Sequence, residues 1–255
     1  MIDLHSHVLP GIDDGPAAIE GSLAMARAAV AQGTGTLVAT PHVNSRYPND
    51  ADTIAGLVQL VAERLEAEGI PLELLPGAEI AVTRVAEIEP SQLHRLALGG
   101  GPWLLVEPPF TSVVAGLDSI VRDLLRRGHR VLLAHPERCP AFRRDPRMLE
   151  SLVGEGVLTS LTSGSLVGRF GGEVRRFALG LLEAELVHNV ASDAHDESGR
   201  PPSIAEELQD AGAGPLEDWL TQEVPAAILA GDEIPPPPSL TLAAARPRRW
   251  SWHRR

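Results

Sequence analysis

Histidines and acids stand directly after short apolar runs at several places along this chain. The first run leads into His5 and His7, and the alternation of side chains along a strand would put both imidazoles on one side. The corresponding residues after later runs are His42, Glu79, Glu107, His135, Asp193 and His195. Imidazole and carboxylate groups without a thiolate are typical ligands of catalytic zinc, manganese or iron. The spacing therefore indicates metal binding.

Two adjacent acids, Asp13 and Asp14, follow His7 in the turn-rich segment LPGIDDG. Acids in such a segment often only cap a turn, and this interpretation stays open for Asp13. Any single residue of the set could be a hydrogen-bonded core group. Six strand ends that each deliver one are harder to explain, because unpaired carboxylates and imidazoles are costly to bury. Divalent cations would supply the missing positive charge, and multi-metal sites of this kind hydrolyse phosphate esters.

Two arginines lie close to these candidate ligands in the sequence. Arg138 ends the HPER motif that begins at His135, and Arg200 follows His195 by five residues. A guanidinium grips phosphate through paired hydrogen bonds and stays charged at any working pH, although either arginine could instead form an ion pair. Glu137, inside the HPER motif, fits a supporting hydrogen bond or an ion pair better than metal ligation.

The single cysteine, Cys139, raises the alternative of a cysteine phosphatase. Such enzymes need an arginine six positions after the cysteine to close a phosphate loop. This chain has Asp145 at that position and Pro140 within the loop. We therefore exclude a cysteine nucleophile. A single cysteine also excludes an intrachain disulfide, which fits a reducing cytoplasm.

Short apolar runs alternate with longer amphipathic stretches along the chain. The runs predict strands over 2–5, 36–40, 72–76, 103–107, 130–135, 157–161 and 186–192. Helices are predicted over 17–32, 51–68, 113–127, 145–155, 173–183, 204–211, 214–220 and 225–230. Seven strand–helix repeats predict an α/β fold with a parallel sheet, closed or nearly closed into a barrel, whose C-terminal strand ends converge on one face. A doubly wound open sheet is the alternative, but no GxGxxG follows the first strand.

Composition excludes several classes of function. The formal net charge is −12, which argues against nucleic-acid binding. All the basic residues other than histidine are arginine, so a P-loop lysine and Schiff-base chemistry are excluded. The N-terminal sequence MIDLHSHVLPG lacks a signal peptide, and no apolar stretch approaches the ~18 residues of a transmembrane helix. We expect a cytoplasmic protein that does not span a membrane.

The C-terminal segment differs from the rest. Four consecutive prolines occupy 235–238, and the last ten residues, RPRRWSWHRR, are rich in arginine and tryptophan. Such composition is typical of extended or flexible chain. We therefore predict one domain over residues 1–233 and a flexible tail over residues 234–255.

Seven motifs together resemble a known superfamily. They are DLHSHVLPGIDDG, ATPH, PGAE, LLVE, LLAHPER, LTSGSLVGRFG and ASDAH, in this order between Met1 and about Leu229. They resemble the PHP (polymerase and histidinol phosphatase) superfamily, and within it the bacterial capsular-polysaccharide, or CpsB/CapC, type of protein-tyrosine phosphatase. An HxH pair alone is unspecific, whereas HxHxLPGxDDG with ATPH, HPER and SDAH is highly specific.

The resemblance implies a single-domain, distorted (β/α)7 TIM-like barrel that holds two or three divalent metal ions. Manganese is the usual activating ion of such enzymes, and iron or zinc can occupy related sites. By motif, one metal would be held by His5, His7, Glu79 and Asp193, a second by Glu79, Glu107 and His135, and a third by Asp14, His42 and His195. Arg138 and Arg200 match the arginines that hold the substrate phosphate, and Asp193 is a candidate proton donor to the leaving group.

The activity implied is hydrolysis of phosphotyrosine by a hydroxide that bridges metal ions. The implied substrate is a tyrosine kinase that regulates capsular or exopolysaccharide synthesis, and a homo-oligomer is compatible with the resemblance. A small-molecule phosphatase or phosphodiesterase, acting on histidinol phosphate or a nucleotide, is the alternative. A non-catalytic scaffold is disfavoured, because every expected ligand is present. The sequence departs from the family pattern after Glu107, where Pro108, Pro109 and Phe110 follow, so this loop is expected to differ locally.

Overall fold

Parallel strands form the centre of the computed structural model, which describes residues 1–111 and 116–238. These strands are β1 (Ile2–Ser6), β2 (Thr36–Ala39), β3 (His42–Val43), β4 (Glu73–Pro76), β5 (Glu79–Ala81), β6 (Trp103–Glu107), β7 (Arg130–Ala134), β8 (Leu158–Thr162) and β9 (Asn189–Ala191). One sheet has the order β1-β2-β4 and the other β3-β5-β6-β7-β8-β9. Every strand pair is parallel, which confirms the predicted α/β class with a parallel sheet.

The two sheets continue each other across two broken strands. The β2–β4 pair and the β3–β5 pair have the same offset of 37 residues between partners. Thr40 and Pro41 separate β2 from β3, and Gly77 and Ala78 separate β4 from β5. The apolar runs in the sequence predict only the first half of each broken strand. A parallel bridge from Ser6 to Ala194 links the end of β1 to the chain just after β9.

The central strands are apolar because both of their faces are covered. The middle residues of β6 and β7 are fully buried, among them Leu104, Leu105, Leu132 and Leu133. Strands of a parallel sheet that are covered on both sides have continuous apolar sequences rather than alternating ones. This explains why the sequence signal consisted of short apolar runs that end abruptly in a polar residue.

Helices surround the strands. They are α1 (Ile19–Ala31), α2 (Ala51–Ala67), α3 (Pro90–Arg95), α4 (Leu117–Arg126), α5 (Pro140–Arg144), α6 (Pro146–Gly154), α7 (Ser163–Leu166), α8 (Gly172–Glu183), α9 (Ala205–Asp210) and α10 (Val224–Ala230). The predicted helices correspond to α1, α2, α4, α6, α8, α9 and α10, although residues 113–115 of one prediction lie outside the described residues. The segment predicted as a helix over 214–220 is helical but irregular, with a 3-10 turn at Gly214–Leu216 and a π-helical turn at Trp219–Glu223 that leads into α10.

Helix α2 shows how the sequence specifies such an element. Its N-cap, Asp50, accepts a hydrogen bond from the backbone N–H of Thr53 at 2.8 Å, which satisfies one otherwise unpaired donor. Ile54, Val58 and Val61 recur at helical spacing and are buried against the core. The helix therefore has one apolar face toward the sheet and one solvated face.

The C-terminal segment begins in contact with the domain. The indole N–H of Trp219 donates a hydrogen bond to the carbonyl of Pro235 at 3.0 Å. Residues 235–238 have no regular secondary structure, and the rest of the predicted tail lies outside the described residues. None of the helices within residues 1–111 and 116–238 combines the length and the apolar character needed to cross a bilayer.

Candidate metal centre

The polar residues at the strand ends lie together at one edge of the sheets. All nine candidate ligands fall into four overlapping groups, and within each group the ligand atoms lie within 4.8 Å of one another. The groups are His7, Asp14, His42 and His195; His5, His7 and Asp193; His5, Glu79 and His135; and His42, Glu79 and Glu107. Because the groups share members, they describe one continuous centre that is large enough for more than one cation.

Glu79, the first residue of β5, is at the middle of this centre. Its Oε1 lies 2.7 Å from Nε2 of His135, and its Oε2 lies 2.9 Å from Nδ1 of His42. The same Oε2 is 3.3 Å from Nε2 of His7 and 3.5 Å from Nε2 of His5. One buried carboxylate therefore faces four imidazoles, which is the arrangement expected of a carboxylate that bridges two cations.

Several polar atoms of the centre are buried without a hydrogen-bond partner. Nδ1 of His42 and Oε2 of Glu79 lie 2.9 Å apart but are not aligned for a hydrogen bond, and Nε2 of His195 also has no hydrogen-bond partner among the described residues. Nε2 of His5 also lies 3.2 Å from Nε2 of His7. These two nitrogens form a hydrogen bond only if one of them carries a proton. Such atoms are costly to bury, and a divalent cation would satisfy them together. The residues present therefore fit a multi-metal site.

Asp13 lies beside the centre and belongs to none of the ligand groups. Its Oδ2 lies 2.7 Å from Nδ1 of His7 and accepts a 3.0 Å hydrogen bond from the backbone N–H of His42. Its Oδ1 accepts another from the backbone N–H of Gly15 at 2.9 Å. A carboxylate on one ring nitrogen orients the other nitrogen of a ligating histidine. Asp13 therefore orients His7 as well as forming the turn.

Gly15 allows this loop to close over His7. A Cβ atom at position 15 would lie 2.1 Å from the backbone oxygen of His7, which is far inside van der Waals contact. Only glycine fits here without displacing the backbone that carries His7. The LPGIDDG segment is thus built around the ligand rather than merely following it.

Asp3 is a buried residue of the site that the sequence analysis missed. Its two oxygens accept hydrogen bonds from the backbone N–H and the hydroxyl of Ser192, at 3.1 and 2.5 Å, and Oδ1 also accepts one from the N–H of His5 at 3.2 Å. These contacts join β1 to the chain after β9. Asp3 thereby fixes the position of His5 relative to Asp193.

Two residues of the centre have left-handed backbone conformations that are unusual for non-glycine residues. His135 has φ 30° and Asp193 has φ 52°. Both stand just after a strand, where the turn redirects the side chain toward the common edge. Backbone strain of this kind costs of order 1–3 kcal/mol for each residue and is characteristic of functional sites.

The two arginines converge on Asp193. Arg138 donates from NH1 to Oδ2 of Asp193 at 2.7 Å, and Arg200 donates from NH2 to the same oxygen at 2.5 Å. Both guanidinium groups are partly exposed, whereas Asp193 is buried. The pair therefore presents positive charge at the point where the centre meets solvent.

Glu137 fixes the turn that carries Arg138. This fully buried residue accepts hydrogen bonds at Oε1 from the N–H of Thr162 and the hydroxyl of Ser165, at 3.0 and 2.7 Å. It joins none of the candidate ligand groups among the described residues. This geometry agrees with the supporting hydrogen bond expected for Glu137.

Comparison with known proteins places the chain in a family. The profile of the family described as "Capsular polysaccharide synthesis, CpsB/CapC" matches residues 1–211. The chain belongs to the CpsB/CapC family. Tyrosine-protein phosphatase YwqE of Bacillus subtilis (strain 168) is 41% identical over 197 residues, which cover 77% of this chain and 78% of YwqE. Putative tyrosine-protein phosphatase CapC of Staphylococcus aureus is 30% identical and covers 79% of each chain.

A solved structure extends the similarity to three dimensions. It is described as one of the crystal structures of YwqE from Bacillus subtilis and CpsB from Streptococcus pneumoniae, "unique metal-dependent tyrosine phosphatases". It superposes on this chain with a TM-score of 0.82 and 37% identity, covering 93% of this chain and 98% of the other. The family shown by the sequence is therefore also shown by the fold.

In this member of the CpsB/CapC family, Cys139 has none of the properties of a nucleophile. The side chain is buried, and its Sγ donates to the carbonyl of Pro109 at 3.4 Å. Burial raises the pKa of the thiol, so it stays protonated at neutral pH. This agrees with the exclusion of cysteine chemistry from the sequence.

Metal affinity is predicted to rise steeply with pH. Burial and the charge of Glu79 raise the pKa of Glu107 to about 8. Burial lowers the pKa of His7, but its hydrogen bonds to Asp13 and Glu79 outweigh burial and raise the pKa to about 10. At pH 7 both groups carry protons that a cation must displace, so affinity falls as the pH is lowered.

Calorimetric titration with Mn²⁺ between pH 6.5 and 8.5 checks this prediction. We expect the affinity for Mn²⁺ to increase by up to about tenfold per pH unit for each proton displaced. Repeating the titration in buffers of different ionisation enthalpy detects the release of these protons. Affinity that stays constant over this range, without proton release, would contradict the protonation states assigned to Glu107 and His7.

Proposed function

We propose that this chain is a metal-dependent protein-tyrosine phosphatase. The observation that carries the proposal is the group of nine histidines and carboxylates with buried, unpartnered polar atoms, next to two arginines that meet at Asp193. Membership of the CpsB/CapC family and similarity to proteins named tyrosine phosphatases support the same function. The cations, two or three in number, are proposed to be manganese, with iron or zinc as alternatives that suit the same ligands.

The ligand assignment proposed follows the family motifs and the four groups. His5, His7, Glu79 and Asp193 would hold one cation, Glu79, Glu107 and His135 a second, and Asp14, His42 and His195 a third. When bound, these cations activate water and stabilise the negative charge that develops on the phosphoryl oxygens.

The chain's own contribution is to orient the phosphate. Arg138 and Arg200 offer planar N–H pairs that match phosphate oxygens, and both remain charged throughout the reaction. Burial of Asp193 opposes its ionisation, but the charges of His5 and Arg200 outweigh burial and hold its pKa well below the usual range. Asp193 therefore acts as the acceptor that aligns both arginines.

The leaving group needs little assistance. A tyrosinate has a solution pKa of about 10, so it departs more readily than the alkoxide of serine or threonine. Protonation of the departing oxygen by Asp193 remains a prediction, and its low pKa in this arrangement favours the aligning function instead. Substrate preference for phosphotyrosine follows from the same difference in leaving-group basicity.

The substrate is proposed to be a phosphotyrosyl protein, specifically a tyrosine kinase that regulates capsular or exopolysaccharide synthesis in the cytoplasm. The family description refers to capsular polysaccharide synthesis, which supports this assignment.

We also propose a domain over residues 1–233 folded as a distorted (β/α)7 barrel. The constant strand offset and the Ser6–Ala194 bridge support closure of the barrel. Residues 234–255 would be a flexible tail, and a homo-oligomer is compatible with this arrangement.

A substrate panel tests the proposed function. A phosphotyrosyl peptide, histidinol phosphate and a nucleotide phosphodiester would each be assayed with Mn²⁺, Fe²⁺ or Zn²⁺ and with a chelator. We expect turnover of the peptide that requires a metal and is lost in chelator. Turnover confined to a small molecule would overturn the substrate assignment, and no turnover with any metal would overturn the enzymatic function.

A further inference from the structure

Arg138 lies over the faces of two phenylalanine rings that come from distant parts of the chain. Its guanidinium carbon is 4.9 Å from the ring centre of Phe110 and 4.4 Å from that of Phe170. Arg200 also approaches Phe170, at 5.9 Å. A guanidinium held over an aromatic face is attracted to the ring without using its N–H groups as hydrogen-bond donors. The two rings therefore hold the guanidinium of Arg138 without competing for the hydrogen bonds that grip phosphate.

Phe110 is exposed at the same place. Among the described residues, Leu60, Phe110 and Val167 are the large apolar side chains left exposed, and 48% of Phe110 is accessible to solvent. Its ring also stacks on His135, with ring centres 5.4 Å apart and planes inclined by 18°. A ring that contacts both a candidate ligand and a phosphate-binding arginine, yet stays half uncovered, has an apolar surface at the entrance to the centre.

The position of each ring is fixed by its segment. Phe110 follows Pro108 and Pro109, whose backbone φ angles are restricted, and the carbonyl of Pro109 accepts the hydrogen bond from Cys139. Phe170 lies in a turn after α7 that is closed by the hydrogen bond from the N–H of Arg169 to the carbonyl of Gly164, at 2.9 Å. This loop, which the sequence leads us to expect to differ locally from the family pattern, is the one that brings Phe110 to the centre.

We infer that Phe110 and Phe170 are specificity-determining residues that contact the phenyl ring of the substrate while Arg138 holds its phosphate. This inference rests on the proposed phosphatase function and deepens it. In an aryl phosphate the ring follows the phosphate by a single bridging oxygen, so an apolar surface directly beside the phosphate-binding guanidinium favours that class. Offset or edge-to-face packing with Phe110 would cover the exposed ring and the substrate ring together. An alkyl phosphate offers no such surface.

Bracing of Arg138 alone is the competing explanation, and it predicts a different result. If the rings only orient the guanidinium, their removal weakens binding of every phosphate ligand equally. If they contact the substrate ring, their removal weakens aryl ligands and spares inorganic phosphate. Binding of inorganic phosphate and of phenylphosphonate, an aryl ligand that is not hydrolysed, separates the two explanations.

The experiment compares the Mn²⁺-loaded full chain with its Phe110→Ala, Phe170→Ala and Phe170→Leu variants by calorimetry. Leu60→Ala, which removes an exposed apolar side chain from α2, is the matched control. We expect the wild type to prefer phenylphosphonate to phosphate, and Phe110→Ala to lose about three- to tenfold of that preference with phosphate affinity unchanged. Phe170→Ala should weaken both ligands, because Phe170 also contacts both arginines, but it should weaken phenylphosphonate more than phosphate. Phe170→Leu keeps an apolar side chain at this position and should not restore the preference.

Turnover of a phosphotyrosyl peptide by the same proteins completes the test. Suppose that the wild type hydrolyses the peptide, and that the phenylalanine variants have the same kcat/KM for the peptide and the same preference for phenylphosphonate over phosphate as the wild type. The inference is then overturned while the proposed function stands. Equal losses for phosphate and phenylphosphonate would assign the rings to bracing alone. A wild type that does not hydrolyse the peptide, yet binds phenylphosphonate better than phosphate, would instead overturn the proposed function and leave the aryl-binding surface in place.

Discussion

Replacement of Glu79 by glutamine is expected to abolish metal-dependent turnover, with kcat lowered by about a thousandfold or more. The change keeps the shape of the side chain but removes the negative charge that faces His5, His7, His42 and His135. An amide is a poor bridging ligand for divalent cations, and each 1.4 kcal/mol of lost transition-state stabilisation costs about tenfold in rate. Loss of one cation from the centre therefore removes several times ~1.4 kcal/mol of transition-state stabilisation, which corresponds to the expected loss in kcat.

Metal content measured by elemental analysis, alongside kcat for a phosphotyrosyl peptide, checks this prediction. Glu66→Gln is the matched control, since Glu66 lies on the exposed face of α2 and the same atoms are changed. We expect Glu79→Gln to retain fewer cations per chain, whereas the control keeps the wild-type content and rate. A Glu79→Gln protein with full metal content and a rate within about threefold of wild type would rule out Glu79 as the bridging ligand.

The candidate ligands could be selected from the sequence because their positions depend on local pattern. Each apolar run that becomes a covered parallel strand must end in a turn, and the polar residue there lies at the common C-terminal edge. His135, directly after β7, is an example in which a single strand boundary determined the position, whereas Glu79 follows the run predicted over 72–76 and begins β5, the second half of a broken strand. The same reasoning gave the α/β class, since covered strands and amphipathic helices such as α2 have distinct periods.

Other features depend on contacts between residues far apart in sequence, which periodicity does not encode. Strand β3 has only two residues and exists because it pairs with β5. Asp3 contacts Ser192, 189 residues away, and nothing in the first apolar run distinguishes it from a surface acid. The two rings around Arg138 come from the loops after β6 and α7, so no local pattern indicates that they meet.

Asp13 combines a feature that local sequence predicts with one that depends on contacts between distant residues. The sequence left it open whether this residue caps a turn or contributes to the centre, and the structure gives it both tasks through one carboxylate. Its Oδ1 caps the turn at Gly15, while its Oδ2 meets the His7 ring and the backbone of His42. Turn chemistry was predictable from the LPGIDDG segment, whereas the contact with His42, from the next strand, required the fold.

Conversion of Arg138 or Arg200 to lysine is expected to lower kcat/KM by about a hundredfold, although the charge is retained. Lysine is a point charge and lacks the planar fork that can bind two phosphate oxygens at once. Removal of one well-placed donor to a developing negative charge typically costs about 10²–10³ in rate. Arg126→Lys is the control, because Arg126 on α4 is 73% exposed and forms an ion pair with Asp123 on the same helix.

Arg138→Lys should have the larger effect of the two. Arg138 lies over both Phe110 and Phe170, whereas Arg200 approaches Phe170 at a longer distance, so replacement of Arg138 by lysine loses both the fork and the contacts with two rings. Because both arginines bind the same oxygen of Asp193, the double variant should lose less than the product of the two single losses. Measurement of kcat/KM for the two single variants and the double variant checks this. Strictly multiplicative losses would show that the arginines act on the substrate independently rather than as one Asp193-aligned pair.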